Sequence, residues 1–449
     1  MSHAPTIYAL ASAPGKSGVA VFRISGPTGL AALRFLGIEK PVTPRMATLV
    51  KLYEVSQPGT RHQALGTLID EALALYFPAP HSFTGEDVVE LHTHGSRAVT
   101  RMLLEALGTI DGLRMAEPGE FARRAFMNGK LDLAQAEGLG DLIDAETKTQ
   151  QAQAIRQIRG HLSKRIAELR NQVLVPLALL EAYIDFPDEE IPESVLLDVS
   201  NQIQALVLEL KTLLDDGQVG EKIREGLDVV IFGPPNAGKS TLLNALAKRE
   251  AAIVSSVAGT TRDVIEIQME IGGYAVTLAD TAGLRETAGE IEAEGIRRAQ
   301  ARAAQADIKI CLCDAVYFDA HFAEMAPLLD ENTLLLVNKT DLKTPAKIPS
   351  NALSISVKSG SGMNEFLEQL KRRIDAKMDY VGTPIITRAR HRESWKLAVT
   401  SLERFSTDAP LELMCEELRI AATAIGKITG KIAVDDLLDV IFSKFCIGK

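Results

Sequence analysis

One segment constrains the fold of this chain more than any other: Gly233-Pro-Pro-Asn-Ala-Gly-Lys-Ser240. It matches the pattern G-x-x-x-x-G-K-[ST], and it lies between an apolar run at 227–232 and a helix-forming run that begins at Thr241. Glycines in such a loop let backbone N–H groups surround phosphate oxygens, and the following helix adds a favourable dipole. Lys239 would reach the β- and γ-phosphates, and the Ser240 hydroxyl would bind Mg²⁺. The segment therefore predicts a nucleotide-binding loop at the end of a buried strand.

Further motifs follow in the order that a GTPase requires. Asp280-Thr-Ala-Gly283 follows a strand-like run, so that its carboxylate can hold a metal-bound water. Asn338-Lys-Thr-Asp341 follows another strand, and a carboxylate there can accept two N–H bonds from guanine, which adenine cannot supply. Ser356-Val-Lys358 is the expected third contact to the base, and Thr261 is best placed as the second Mg²⁺ ligand. The order and spacing of these motifs predict GTP rather than ATP as the nucleotide.

One expected residue is missing. Many small GTPases carry a glutamine directly after D-x-x-G, where it orients the attacking water. This chain has Leu284 at that position, and leucine has no hydrogen-bonding atom. Either hydrolysis is slow, or another polar residue orients the water. Glu286, Glu290 and Glu292 follow in the segment that would form the mobile switch.

The composition is that of an ordinary globular protein. Of 449 residues, 46% are hydrophobic and 24% are charged, and the net charge of −10 argues against a general nucleic-acid coat protein. A local cluster, Arg388, Arg390 and Arg392, fits either a solvated helix face or a basic binding face. Four cysteines argue against a disulfide framework, and Cys311 and Cys313 are expected to be inert core residues. With no membrane-length apolar run and no secretory pattern at the N-terminus, a cytoplasmic location is predicted.

Three textures divide the chain. Residues 6–121 alternate short apolar runs with helical ones, which is typical of a compact α+β domain. Residues 131–225 are rich in helix formers with helical apolar spacing, which predicts packed helices. Residues 227–378 alternate continuous apolar strands with helices, which predicts a mostly parallel sheet buried on both faces. Helical texture resumes after Pro384, so the α/β unit is predicted to be an insertion within one helical domain.

From Thr6 to Lys449 the chain resembles the MnmE (TrmE) family of tRNA modification GTPases. The stretches that carry the resemblance are Ser82-Phe-Thr-Gly-Glu-Asp-Val-Val-Glu90, Pro118-Gly-Glu-Phe121, Lys130-Leu-Asp-Leu-Ala-Gln-Ala-Glu137, Asp185-Phe-Pro-Asp-Glu-Glu190, Ala258-Gly-Thr-Thr-Arg-Asp263 and Phe445-Cys-Ile-Gly-Lys449. The last of these is the most distinctive.

The resemblance implies a multidomain fold that agrees with the three textures. Residues 1–125 would form an α+β N-terminal domain that binds tetrahydrofolate and dimerises. Residues 126–222 and 381–449 would form the two parts of an α-helical central domain, and the second part ends in the Cys-Ile-Gly-Lys motif. Residues 223–380 would form the inserted Ras-like α/β P-loop GTPase domain.

The resemblance also implies an activity. With the FAD-dependent partner MnmG, in a heterotetramer, such enzymes add an aminomethyl-type group, such as carboxymethylaminomethyl, to C5 of the wobble uridine in certain tRNAs. The one-carbon unit comes from 5,10-methylene- or 5-formyl-tetrahydrofolate. The resemblance further implies a homodimer that hydrolyses GTP with Mg²⁺ and in a potassium-dependent way, in which the K⁺ ion would do what an arginine finger does elsewhere.

Residue by residue, the resemblance gives the GTP site its members. Those implied to bind GTP are Asn236, Ala237, Gly238, Lys239, Ser240, Thr241, Ser255, Ser256, Val257, Ala258, Gly259, Thr260, Thr261, Asp280, Thr281, Ala282, Gly283, Asn338, Lys339, Asp341, Ser356, Val357 and Lys358. Those implied to bind metal ions are Ser240 and Thr261 for Mg²⁺, and Asn236, Ser255, Val257 and Thr260 for K⁺. Glu292 matches the family's catalytic glutamate, although its sequence context alone would favour a solvated helix residue.

The resemblance implies a second site, for folate. Its contacts match Arg23, Glu90, Lys130 and Lys449, with Cys446 as a catalytic residue on the C-terminal tail. Without the resemblance these would be ordinary surface residues far apart in the chain. The alternative function is an RNA-binding regulatory or ribosome-assembly GTPase without modification activity. The GTPase motifs fit both functions, whereas the folate-like N-terminal domain and the cysteine tail favour the modification enzyme.

Overall fold

A computed structural model describes residues 5–55, 65–186, 191–216, 218–249, 265–280, 306–379, 384–432, 435–443, 445, 446 and 448. The chain divides into two compact units. Unit 1 comprises Met1–Gly140, Gln157–Ala167 and Gly426–Lys449, and unit 2 comprises Asp141–Arg156 and Glu168–Ile425. Within the described ranges, no helix is long and apolar enough to cross a membrane.

The elements are numbered in chain order over the described residues. Strands β1 to β12 are Thr6–Leu10, Ser17–Ser25, Thr48–Val55, Leu65–Phe77, Val88–Gly95, Leu113–Met115, Leu227–Phe232, Ile265–Ile271, Tyr274–Asp280, Ile308–Asp314, Thr333–Asn338 and Leu353–Ser354. Helices α1 to α14 are Gly29–Phe35, Arg97–Gly108, Glu120–Met127, Leu133–Asp144, Lys148–Ile158, His161–Asp185, Glu193–Leu214, Val219–Glu225, Lys239–Arg249, Phe318–Met325, Met363–Met378, Ala389–Arg404, Leu411–Ile428 and Asp435–Phe442. Short 3₁₀ helices cover Ala315–Tyr317 and Ala326–Leu328.

The sheet of unit 1 has six strands in the order β3-β4-β5-β2-β1-β6. Neighbours are antiparallel except β1 and β6, which are parallel. Successive side chains of a strand point to opposite faces, so Ala20, Phe22 and Ile24 of β2 are buried while Val19 and Arg23 lie on the other face. The buried face packs against α1 and α2, and the other face is called here the open face.

Helix α2 illustrates how local sequence and burial agree. It begins after Ser96, whose Oγ accepts a hydrogen bond from the Val99 N–H at 3.1 Å and so caps the helix. Leu103 and Leu107 lie one turn apart on one side, and both join Phe22 in the core of unit 1. This mixture of antiparallel strands and covering helices confirms the predicted α+β class for the N-terminal region.

The C-terminal residues belong to the same unit. Leu438 and Phe442 of α14 share an apolar cluster with Ala122, Leu133 and Ala136, and Phe445 packs against it. The backbone of Gly119 has a left-handed φ of 67°, and a Cβ there would lie 2.4 Å from the Phe442 carbonyl oxygen. Glycine is therefore required in Pro118-Gly-Glu-Phe121, because the C-terminal segment passes directly over it.

The sheet of unit 2 has the order β12-β11-β10-β7-β9-β8. Its neighbours are parallel except β8 and β9, which form an antiparallel edge. Every residue of β11 is buried, and alternate residues of β10 enter different clusters, with Leu312 in one and Cys311 and Cys313 in the other. A parallel sheet buried on both faces is confirmed, as is the predicted burial of both cysteines. The described residues from 133 to 225 form α4 to α8, which confirms the helical texture.

Arg392 contradicts both interpretations of its basic cluster. Its Nη2 donates to Asp216 Oδ1 and to Glu221 Oε2, each at 2.7 Å, and the arginine is buried. Arg388 donates to Asp141 Oδ1 at 2.6 Å. Sequence patterning could not separate these cases, because the carboxylates that pair with the two arginines lie more than a hundred residues earlier in the chain.

Candidate functional site

The phosphate-binding motif of unit 2 lies where β7 ends and α9 begins. Gly233 has a φ of +147°, and a Cβ there would lie 2.2 Å from the Leu312 carbonyl oxygen. Gly238 has a φ of +102°, and a Cβ there would lie 2.5 Å from Asn338 Nδ2. Neither position accepts a side chain, so the loop requires both of its glycines. Asn236, between them, adopts a left-handed φ of 59° despite its side chain.

Lys239 lies inside this loop. It is only 7% exposed, and its Nζ donates to the carbonyl oxygens of Gly233 at 2.7 Å and Pro234 at 2.9 Å. Ser240 follows on the first turn of α9 and is exposed. A buried ammonium within a glycine loop, at the N-terminus of a helix, provides the donors that a polyphosphate requires.

The base-binding motifs meet the same loop. Asn338 is buried, and its Nδ2 donates to the Ala237 carbonyl oxygen at 2.9 Å. Its Oδ1 accepts from the Val357 N–H at 3.2 Å, and the Ser356 hydroxyl donates to Asp341 Oδ1 at 2.6 Å. Three separate sequence motifs thus form one hydrogen-bonded group. The hydroxyl of Ser356 holds one oxygen of the Asp341 carboxylate, the group predicted to bind guanine.

Lys339 also connects the base motif to the phosphate loop, and it pairs with Asp314, a residue that the sequence motifs did not indicate. Its Nζ donates to the Asn236 carbonyl oxygen at 2.8 Å and to Asp314 Oδ2 at 2.7 Å. Asp314 is the last residue of β10. Ligands of open α/β sheets bind beyond the carboxyl ends of the strands, so an acidic residue at the end of an apolar strand was the signal available in the sequence.

Part of the predicted GTP site lies outside the described residues. This applies to Ser255, Ser256, Val257, Ala258, Gly259, Thr260, Thr261, Thr281, Ala282, Gly283 and Glu292. For Asp280 the structure gives the backbone, which ends β9 opposite Ile231 of β7 in parallel register. Ser240 and Asn236 are therefore the described members of the predicted Mg²⁺ and K⁺ ligand sets.

A second polar site lies on the open face of unit 1. The register of β2 and β5 pairs Arg23 with Glu90, and Arg23 Nε and Nη2 donate to Glu90 Oε1 at 3.0 and 2.8 Å. The rings of Phe83 and Phe121 have their centroids 5.4 and 5.8 Å from the guanidinium carbon. Glu90 Oε2 faces His92 Nε2 at 3.4 Å. The two predicted folate contacts thus pair with each other, between aromatic rings that sequence reasoning had not connected with them.

The C-terminal tail reaches this pair. Arg23 Nη1 donates to the Gly448 carbonyl oxygen at 3.4 Å, and a Cβ on Gly448 would lie 2.3 Å from the Leu10 carbonyl oxygen. The Gly119 N–H donates to the Cys446 carbonyl oxygen at 3.4 Å, while Cys446 itself is exposed. Cys446, the predicted catalytic residue, therefore lies on a tail segment that contacts the Arg23–Glu90 pair through Gly448.

The other two predicted folate contacts are placed differently. Lys130 is exposed, and its Nζ donates to the Pro80 carbonyl oxygen at 2.9 Å. Pro80 belongs to the connection between β4 and β5 that also carries Phe83. Lys130 thus contacts the loop beside the pair rather than the pair itself, and Lys449 lies outside the described residues.

Comparisons with known proteins give the family. Two family models match, the GTP-binding protein TrmE N-terminus over residues 6–130 and the MnmE helical domain over residues 133–446. A tRNA modification GTPase MnmE from Parvibaculum lavamentivorans is 51% identical over 450 residues, covering 99% of this chain and 100% of that protein. Another, from Paramagnetospirillum magneticum, is 47% identical over 448 residues, covering 99% of both.

Among solved structures, the G domain of the T. maritima FeoB iron transporter is 22% identical with a TM-score of 0.25, and it covers 34% of this chain and 99% of that chain. The full-length relatives carry the assignment, because about half of the residues are identical from end to end. The chain belongs to the MnmE family of tRNA modification GTPases.

Proposed function

We propose that this GTPase acts with the FAD-dependent partner MnmG to add an aminomethyl-type group to C5 of the wobble uridine in certain tRNAs, using a folate one-carbon unit. The relatives are named for tRNA modification, which supports tRNA as the substrate. The observation that carries the proposal is the Arg23–Glu90 pair in contact with the C-terminal tail of Cys446. An RNA-binding regulatory or ribosome-assembly GTPase without modification activity would have no use for such a site.

The chemistry of the pair suits a reduced folate. A pterin presents adjacent N–H donors, and Glu90 offers two carboxylate oxygens as acceptors, Oε1 beside Arg23 and Oε2 beside His92. Folate also carries carboxylates, for which Arg23 and Lys130 would supply charge-assisted donors. Phe83 and Phe121 offer flat apolar surfaces of the kind that ring systems pack against. These features support a tetrahydrofolate derivative as the ligand, at a site that the C-terminal tail carrying Cys446 contacts through Gly448.

For GTP hydrolysis we propose a requirement for Mg²⁺ and K⁺. Ser240 and Thr261 would hold Mg²⁺, and Asn236 would hold K⁺ through its side-chain carbonyl, because its backbone carbonyl already accepts from Lys339. Bound cations offset the negative charge that develops on the phosphates. Since Leu284 cannot orient water, Glu292 is proposed to do so.

The open face of unit 1 supports a homodimer. Leu49 and Leu73 are direct cross-strand neighbours and are 65% and 42% exposed, and Val19 on the same face is 55% exposed. Large apolar side chains grouped on one sheet face mark an interaction surface, and a self-complementary contact between two copies would cover them. Lys51 and Glu71 form an exposed ion pair at its edge.

Calorimetric titration of 5-formyltetrahydrofolate into the full chain tests the folate proposal. The wild type should bind, and Glu90→Ala should bind at least about 10-fold more weakly, because it removes the partner of Arg23 and the acceptor for the pterin. Glu71→Ala is the matched control, since it removes an exposed carboxylate of the same sheet. Absence of binding to the wild type would refute the site, and equal binding by Glu90→Ala would show that the carboxylate is misassigned.

A further inference from the structure

The phosphate loop and the base motif of unit 2 are joined by two hydrogen bonds from consecutive residues. Asn338 Nδ2 donates to the Ala237 carbonyl oxygen, and Lys339 Nζ donates to the Asn236 carbonyl oxygen. The first donor is a neutral amide in a buried position. The second is an ammonium on a long side chain that remains one-third exposed, so without a counter-charge it would gain by turning toward water.

Asp314 supplies that counter-charge. Its Oδ2 lies 2.7 Å from Lys339 Nζ, and its side chain is 5% exposed, so solvent weakens the interaction little. Residues Asp314 and Asn338 are direct neighbours in the parallel pairing of β10 with β11, which places the carboxylate beside the base motif. A charge-assisted hydrogen bond of this length is about twice as strong as a neutral one.

The carboxylate is itself held in place. Oδ1 of Asp314 accepts from the Val316 N–H at 2.8 Å and caps the 3₁₀ helix that follows β10. The Asp314 N–H donates to His321 Nδ1 at 3.2 Å. With one oxygen used by the backbone, the other has a fixed direction toward Lys339.

We propose that Asp314 is a positioning residue for the guanine nucleotide, which fixes Lys339 so that the base motif and the phosphate loop hold one nucleotide together. Asp314 acts only through Lys339 and the Asn236 carbonyl and has no direct role in the chemistry. Its loss should therefore loosen nucleotide binding and leave the hydrolytic step in the bound complex nearly intact.

Asp314→Asn tests this, because asparagine keeps the size of the side chain and the capping oxygen while it removes the charge. The dissociation constants of fluorescent GDP and of a non-hydrolysable GTP analogue should each rise about 10-fold, mostly through faster dissociation. The kcat at saturating GTP should stay within about 3-fold of the wild type, a difference of under 1 kcal/mol in activation free energy.

Asp330→Asn is the matched control. Asp330 also accepts from a lysine, Lys309, at 2.8 Å and also caps a turn, but it lies at the opposite end of the β10–β11 pair. The Asp330 side chain is 41% exposed, so its replacement should lower the unfolding temperature less than Asp314→Asn does, and it should leave nucleotide affinity unchanged. Equal weakening of nucleotide binding by both substitutions would overturn the proposal, because the effect would then be one of general stability.

A double-mutant cycle with Lys339→Gln separates the positioning role from any other role. In the Lys339→Gln background, Asp314→Asn should weaken nucleotide binding by less than about 2-fold further. A full additional loss in that background would show that Asp314 does not act through Lys339. Unchanged affinity in the single variant Asp314→Asn would equally overturn the proposal.

Discussion

At the residue scale, two residues of the nucleotide-binding motifs have a left-handed backbone conformation that is rare for residues other than glycine. Of the four non-glycine residues with positive φ in the described chain, Asn236 and Lys339 are two, and they are hydrogen-bonded to each other. Left-handed backbone costs free energy for residues with a Cβ, and such residues cluster at binding sites. Asparagine is among the residues with a Cβ that adopt this conformation at the lowest free-energy cost. The conformation leaves the Asn236 side chain at the exposed rim of the phosphate loop, where an ion could reach its carbonyl oxygen.

The first prediction concerns that carbonyl. K⁺ should stimulate GTP hydrolysis strongly while Na⁺ should not, and Asn236→Ala should lose about 10²-fold of the stimulated rate, the scale of one charge-stabilising group. Phosphate release measured in KCl and in NaCl at equal ionic strength checks it. Asn351→Ala, an exposed asparagine of the same unit outside the motifs, is the control. Equal rates in the two salts would end the cation hypothesis.

Glu120, in the motif Pro118-Gly-Glu-Phe121, has a structural role. Burial on its own raises the pKa of its carboxyl, but hydrogen bonds from Arg114, from the Glu117 N–H and from Arg124 outweigh burial and hold that pKa below its usual value. Arg114 Nη2 and Arg124 Nη2 donate at 2.6 and 2.9 Å. Arg124 is also buried, and the carboxylates of Glu120 and Glu86 together supply the charge that offsets the cost of burying it.

We therefore predict that Glu120→Gln lowers the free energy of unfolding by about 2–4 kcal/mol at pH 7. A carboxyl whose pKa is depressed in the native state stabilises the folded protein at pH values above its unfolded-state pKa, about 4.3. That stabilisation is lost as the pH falls through the native-state pKa. The difference between wild type and variant should thus shrink toward pH 3, as urea unfolding at both pH values would show. The exposed Glu105→Gln should change stability by less than about 0.5 kcal/mol. A pH-independent difference would contradict this explanation.

Residues that chemistry requires were predictable, and residues that packing requires were not. Lys239, Asn338 and Asp341 follow from what phosphate and guanine need. Asp314 and Arg392 do not, because their partners are set by strand register and by helix contacts that join distant parts of the sequence. The switch residues, with Glu292 among them, stay predictions.

At the element scale, Arg392 joins three segments of unit 2. From α12 it reaches Asp216, Glu221 of α8 and the Leu214 carbonyl oxygen at the end of α7, the last at 2.9 Å. Burial lowers its pKa, but the hydrogen bonds that it donates to both carboxylates outweigh burial and raise that pKa above its usual value. Arg392 thereby links α12, which follows the α/β sheet in sequence, to α7 and α8, which precede it.

Replacing Arg392 should destabilise the protein, because the carboxylates of Asp216 and Glu221 would lose their cationic partner. Arg392→Met should lower the free energy of unfolding by about 3–5 kcal/mol, the loss typical of removing one partner of a buried ion pair. Denaturant unfolding measures it, with Lys396→Met, exposed on the same helix, as a control that should stay near wild type. Adding Asp216→Asn to Arg392→Met should recover part of the loss. A loss below about 1 kcal/mol would mean that solvent reaches the carboxylates.

The elements themselves were largely predictable. Continuous apolar runs predicted the parallel sheet of unit 2, and helical spacing predicted α4 to α8. What the sequence could not give is the cross-strand pairing of Arg23 with Glu90, because residues 67 positions apart meet only through sheet register. The return of the C-terminal tail to the N-terminal sheet is likewise a long-range contact without a local signal.

At the scale of the whole molecule, each compact unit carries one candidate ligand site. Unit 1 combines N-terminal residues with Cys446 and Gly448, and unit 2 holds the guanine nucleotide motifs. The predicted domain boundaries at 125, 222 and 380 stay predictions. Two sites on one chain are what an enzyme needs if it uses GTP hydrolysis to drive a modification that takes carbon from a different ligand.

The fourth prediction concerns the proposed role of the Cys446 thiol in the modification. Cys446→Ser should abolish wobble-uridine modification while GTP hydrolysis stays at the wild-type rate, because Cys446 lies in unit 1 and the nucleotide motifs lie in unit 2. Hydrolysis assays and nucleoside analysis of the same variant check both parts. Full modification by Cys446→Ser would show that the thiol is not required for the reaction and that the residue only helps to hold the tail in place.

The most direct test of the whole account is mass spectrometry of nucleosides from tRNA of cells that lack this gene. The account predicts that aminomethyl-type groups at C5 of wobble uridines disappear, that uridine without the C5 substituent accumulates, and that the wild-type gene restores the modification. Modified wobble uridine at its normal level in the deletion strain would contradict it.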